Sequence, residues 1–145
     1  MSSFKIFDIA GSGLSAESVR LNTIASNLAN ADSASGDPTT VYKARHPVFQ
    51  AVQAAAMTSF STDSDSASGA AVRVSGIVES NAPPTVTHDP GNPLADAQGD
   101  VYSPNVNVIE EMTDMISASR AYQDNVEIMN TSKDLMLDTL KLGQS

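Results

Sequence analysis

The chain has 145 residues, a formal net charge of −9, no cysteine and no tryptophan. That length suits one domain, or one small domain with appendages. Without cysteine there is neither a disulfide framework nor a thiolate site. No segment carries a basic stripe, which removes the counterion-release source of nucleic-acid binding and leaves an anionic membrane surface repulsive.

Met1–Ala10 holds Lys5 and Asp8 and lacks the apolar run and cleavage site of a secretory signal. No stretch approaches the roughly 20 apolar residues that span a bilayer, so no direct membrane span is expected. From Phe4 to Ala31 apolar residues recur at helical spacing. Phe7, Leu14, Leu21 and Leu28 fall on one heptad row, and Ala10, Ile24 and Ala31 on a second that Glu17 interrupts. Such a seam lets one helix lie along another. Asn30, Asp32, Ser33 and Ser35, followed by Gly36-Asp37-Pro38, supply the stop.

The middle is different. Val41–Arg45, Val48–Val52, Val72–Val78 and Thr85–Thr87 are short, β-branched and partly alternating, and prolines and glycines separate them, which predicts short strands in a small sheet. Thr58–Ala71, rich in Ser, Ala and Asp, lacks bulk and periodicity and reads as a mobile loop.

Pro104-Asn105 opens the last segment. One heptad row there holds Met112, Ser119, Val126 and Leu140, with Lys133 interrupting; the other holds Met115, Tyr122, Met129 and Met136. Glu110, Glu111 and Asp114 suit the first turns, where the helix dipole favours negative charge. Lys141 and Gly143 suit the end, as a cation and a left-handed cap. The expected organisation is α+β: an N-terminal helix within 1–35, a small β-rich domain over 36–103 with its loop at 58–71, and a C-terminal helix within 104–145. The helices are expected to pack as a coiled-coil-like pair. Ile6, Ile9 and Val19, with Ile109, Ile116, Ile128, Leu135, Leu137 and Leu142, fall outside both seams, and a stripe wider than one partner covers implies further helices.

Chemistry-bearing patterns are weak. Gly11-Ser12-Gly13 with Asp32 imitates a dinucleotide fingerprint, but the heptad begins before the glycines and no second parallel strand follows. Small residues allowing close helix approach are the better reading. Asp63-Ser64-Asp65 with Gly69 lacks the glycine and acid that a calcium loop needs, since Ser68 and Val74 stand there. A di-iron centre needs Glu-x-x-His on two helices, and His46 and His88 both lie in the strand-rich middle. Neither histidine has a ligand partner or nucleophile at usable spacing, so no catalytic, metal or cofactor site and no small-molecule substrate are expected. The acids Glu110, Glu111, Asp114, Asp124, Glu127, Asp134 and Asp138 suit either a wetted helix face or a binding face.

Ile6-Phe7-Asp8-Ile9-Ala10-Gly11-Ser12-Gly13-Leu14 and Ala25-Ser26-Asn27-Leu28-Ala29-Asn30-Ala31-Asp32 together resemble the N-terminal signature of bacterial flagellar basal-body rod proteins. Ala118-Ser119-Arg120-Ala121-Tyr122-Gln123 through Asn130-Thr131 to Leu140 resembles the C-terminal one, and Pro90–Asp96 and Pro104-Asn105-Val106 add to the match. Asp124 and Asp138 stand where the family pattern has Ala and a base. The resemblance implies a proximal-rod subunit, exported unfolded through the flagellar type III apparatus without signal cleavage. It would join the helical rod that crosses the periplasm and transmits motor torque to hook and filament. Implied partners are other copies of the chain, other rod proteins, and basal-body and export-gate proteins. The implied assembly surface is Phe7, Leu14, Leu21, Ile24 and Leu28, with Met112, Met115, Tyr122, Val126, Met129, Met136 and Leu140. Two other readings are a secreted binding or adaptor protein on the same export route and a small enzyme using the acidic helix face.

Overall fold

The structure is a computed structural model that describes residues 3–53 and 70–143. In chain order it contains α1 (Ser3–Ala29), β1 (Arg45–Gln53), β2 (Ala70–Glu79), β3 (Thr85–His88), β4 (Asp100–Ser103) and α2 (Val108–Leu142). The fold is α+β, with a helix near each end and small sheets between them. Residues 58–69 of the expected loop, and the calcium-like acids at 63–65, lie outside the described residues.

Helix α1 ends at Ala29, two residues before the end of its apolar pattern, where Asn30 turns its side-chain amide onto the Ser26 carbonyl at 2.7 Å. Helix α2 starts later than Pro104-Asn105 suggests. Asn105 is held outside the helix because its side chain accepts from Ala44 N–H (2.8 Å) and donates to the Ala82 carbonyl (2.7 Å). Asn107 caps the helix instead, its side-chain oxygen accepting from Ile109 N–H at 3.2 Å. At the other end Gly143 keeps a right-handed φ of −78°, so the expected left-handed cap does not form. Its N–H still reaches the Thr139 carbonyl at 3.1 Å.

Strands β1 and β2 pair antiparallel from Arg45↔Glu79 to Gln53↔Ala70. Ala70 and Ala71, expected in the loop, therefore belong to the ladder. The register slips between Val48 and Phe49, where Ser75 is the extra residue and its hydroxyl donates to the Val48 carbonyl at 3.0 Å. Val41–Ala44, expected as a strand, is not one. Val41 and Ala44 are buried, Ala44 N–H is taken by the Asn105 side chain, and the Ala44 carbonyl accepts from Ser80 N–H at 2.7 Å.

The second sheet pairs β3 and β4 antiparallel, and Ser35 bridges to Tyr102 along the other edge of β4. Strand β4, which the sequence does not announce, places Val101 in the interior. Asp96 organises the approach to it. Its carboxylate accepts from Gln98 N–H and Asp100 N–H at 2.9 Å each and from the Tyr102 hydroxyl at 3.2 Å. Gly99 has a φ of +84°, which only glycine adopts without strain. Among the described residues every strand pairing is antiparallel, so the parallel unit that a dinucleotide site requires is not built.

The apolar interior is thin. Among the described residues it consists of Ala10, Ala16 and Ile24 on α1, Ala118 on α2, and Val41, Ala44 and Val101 from the segments between the helices.

Candidate assembly interface

The two helices run antiparallel, because their contacts move up α2 as they move down α1. Asn27 meets Glu111, Arg20 meets Asp114, Gly13 meets Asn125, and Ile6 shares a groove with Ser132. The α1 positions Ile6, Gly13, Arg20 and Asn27 lie seven apart, as do Glu111, Ala118, Asn125 and Ser132 on α2. Apart from Ile6, these side chains are small or polar. A Cβ on Gly13 would meet both terminal atoms of Asn125 at 3.0 Å, which is the close helix approach the sequence suggested for this glycine. Gly11 has nothing within 4 Å and plays no such part.

A second face of α1 carries the β1–β2 hairpin. Ser12 Oγ accepts from Val72 N–H at 3.1 Å and donates to the Ile9 carbonyl at 2.7 Å. Phe49 and Val72 border the same opening as Ile9 and Ala16, and Ile77 borders one with Val19 and Thr23.

Asn27 ties the three elements together. It is fully buried, and its amide donates to the Arg45 carbonyl and to Glu111 Oε1, both at 2.8 Å. Its oxygen accepts from Arg45 N–H and the Tyr42 hydroxyl, both at 2.9 Å. Every donor and acceptor lone pair of the amide is thereby used. The sequence reading quoted Asn27 only as part of a signature. Its own heptad row holds Gly13 and Arg20, so the sequence pattern carried no signal that Asn27 is buried.

The residues expected to form the assembly surface divide into two groups. Ile24 is buried, and Phe7, Leu14, Leu21 and Leu28 are half-buried along the flank of α1. On α2, Met115, Met129 and Met136 are half-buried near the seam, with Tyr122 more exposed beside them. Met112, Val126 and Leu140 do not lie between the two helices. They share α2's outer surface with Ile109 (79% exposed) and Ile116 (56%), and Leu140 itself is 59% exposed. Glu111, Ala118, Asn125 and Ser132 come one residue before Met112, Ser119, Val126 and Lys133 in each heptad, roughly 100° around the helix from them, and α1 takes this row of smaller side chains. Beyond Met136, α2 runs past the start of α1.

The acidic residues of α2 are strung along the helix and do not converge on a pocket. Among the described residues no group of three or more His, Asp or Glu is placed to hold a metal ion, and no helix is long and apolar enough to cross a membrane. His88 pairs with Asp100 at 2.8 Å in the open, and His46 is exposed on β1.

Residues 7–36 match the family described as "Flagella basal body rod protein", and residues 97–142 match "Flagellar basal body rod FlgEFG protein C-terminal". The two matches fall on α1 and on β4 with α2. Over its full length the chain is similar to proteins named flagellar basal-body rod protein FlgC. That of Escherichia coli O6:H1 is 51% identical over 147 residues, with 99% of this chain and 100% of the relative covered. The chain belongs to the flagellar basal-body rod protein family. The Yersinia enterocolitica relative is 53% identical over 144 residues and the Bacillus subtilis one 33% over 150, each with the same coverage of both chains. The rod-protein signatures thus coincide with the helices that carry the seam, the Asn27 junction and the exposed apolar rows.

Proposed function

We propose that this rod-family subunit is a component of the proximal rod. Its terminal helices assemble, with other copies and other rod proteins, into the helical shaft that transmits torque across the periplasm. One observation carries the reading: Ile109, Met112, Ile116, Val126 and Leu140 lie on the side of α2 that α1 does not cover. An apolar face of this extent on a small chain marks a surface meant for other subunits. Interlocked apolar side chains resist sliding, and heterologous contacts repeated along a helix propagate instead of closing.

In this reading residues 1–35 and 104–145 form the assembly core, the helices packing as a coiled-coil-like pair, while 36–103 faces outward. The assembly surface is the set of heptad positions from Phe7 to Leu28 and from Met112 to Leu140. The chain reaches its place unfolded, through the flagellar type III apparatus, with no signal removed. The full-length identity to proteins named FlgC supports this assignment.

The experiment compares Leu140→Asp, Met112→Asp and Thr85→Asp in cells lacking the natural chain. A charge placed in a subunit contact costs on the order of several kcal/mol per subunit. The two α2 variants are expected to abolish swimming and completed rods while the β3 variant swims. A secreted adaptor would leave all three motile.

A further inference from the structure

The far half of α2 carries an apolar groove with a carboxylate rim. Ile6 and Ile128 form its apolar part, Asp124, Glu127, Thr131 and Ser132 complete the lining, and it has a volume of ≈ 450 Å³. Leu135, one heptad step after Ile128, extends the apolar row with 63% of its surface exposed.

The charge on this helix is one-sided, with seven carboxylates against three bases. Three of the seven are engaged: Asp114 with Arg20, Asp138 with Lys141, and Glu111 with Asn27. Among the described residues Asp124, Glu127 and Asp134 form no ion pair and no side-chain hydrogen bond. Asp124 and Glu127 stand three apart, a spacing at which like charges repel along a helix. Among the described residues no base pairs with either carboxylate, although Arg120 lies one turn before Asp124.

We infer that this groove receives an apolar helix flanked by basic side chains, supplied by a different rod protein and not by a second copy of this chain. A copy would offer either its own acidic α2 or an α1 whose two bases, Lys5 and Arg20, are offset by Asp8 and Glu17. Opposite charges along the rim would fix register and partner choice, and like charges would reject the copy. The inference rests on the rod reading above and names the neighbour that one face of α2 selects.

The test uses whole cells and the basal bodies isolated from them. Asp124→Lys combined with Glu127→Lys is expected to lower the number of completed rods at least tenfold, with the amount of exported chain unchanged. Asp89→Lys, on an exposed loop, serves as the control for added positive charge. Carbodiimide coupling, which joins a carboxylate directly to an amine, is then applied to wild-type basal bodies and read by peptide mass. Coupling of Asp124 or Glu127 to a different rod protein is the expected product. Wild-type rod numbers in the reversed-charge variant, or coupling only to lysines of other copies, would overturn the inference. Complete absence of the chain from wild-type basal bodies would instead defeat the rod reading beneath it.

Discussion

Asn27 and Glu111, 84 positions apart in the chain, are joined by a buried hydrogen bond of 2.8 Å that fixes the end of α1 against the start of α2. Because the same amide also holds both backbone groups of Arg45, the first residue of β1 is locked to the same point. The thin apolar interior leaves this polar junction a large share in specifying how the helices meet.

Asn27→Ala strands the Glu111 carboxylate and the Arg45 backbone without partners, and is expected to cost about 2–4 kcal/mol. Thermal unfolding of the purified chain measures it. Asn27→Asp places a second carboxyl against Glu111, so its deficit at neutral pH should shrink in acid as one of the pair takes up a proton.

Gly13 and Gly11 offer a matched comparison. Gly13→Leu must push against Asn125 across the seam, and overpacking of this kind costs about 1–3 kcal/mol. Adding Asn125→Ala should return part of that loss. Gly11→Ala has open space around it and should stabilise the isolated chain by about 0.5–1 kcal/mol through helix propensity. Denaturant titration of the three variants reads both effects.

The sequence revealed the helices because Phe7 to Leu28 and Met115 to Met136 repeat at a period no strand can use. It did not reveal which of the rows on α2 the chain itself would cover. Periodicity marks which residues share a face. The choice between Met112–Val126 and Ala118–Asn125 depends on how closely Gly13 lets the backbones approach. Asp100–Ser103 was missed as a strand because four residues with one buried apolar side chain carry almost no alternation. Its partners, Thr85–His88 and Ser35, lie far away in the chain. The Asn27 junction was illegible for a similar reason, since its partners sit 15, 18 and 84 residues away.

Strong acid should loosen the β3–β4 region. The Asp100 N–H, ahead of Gln98 N–H and the Tyr102 hydroxyl, holds the Asp96 carboxyl below its ordinary value. A carboxyl depressed by folding stabilises fully above its unfolded pKa of about 3.9 and loses that contribution as pH falls through the lower folded value. Asp96→Asn should therefore be less stable than the parent at neutral pH, with the gap closing in acid. Stability measured at several pH values checks it.

In the isolated chain the last turns of α2 should be the least protected helical segment. Beyond Met136 the helix has no α1 alongside, and a helix unsupported by packing is marginal in water. Hydrogen exchange should be fast at 137–142 and slow across 111–132. Incorporation into rods should slow the first group.

The claim that α2 turns its uncovered apolar rows toward neighbouring subunits is tested most directly by a cryo-electron reconstruction of the native basal body. With this chain placed in the rod density, Met112, Ile116, Val126 and Leu140 are expected to be buried against helices of adjacent subunits, with the β1–β2 hairpin on the outside. Density in which those four residues face solvent while the hairpin makes the contacts between subunits would contradict the account.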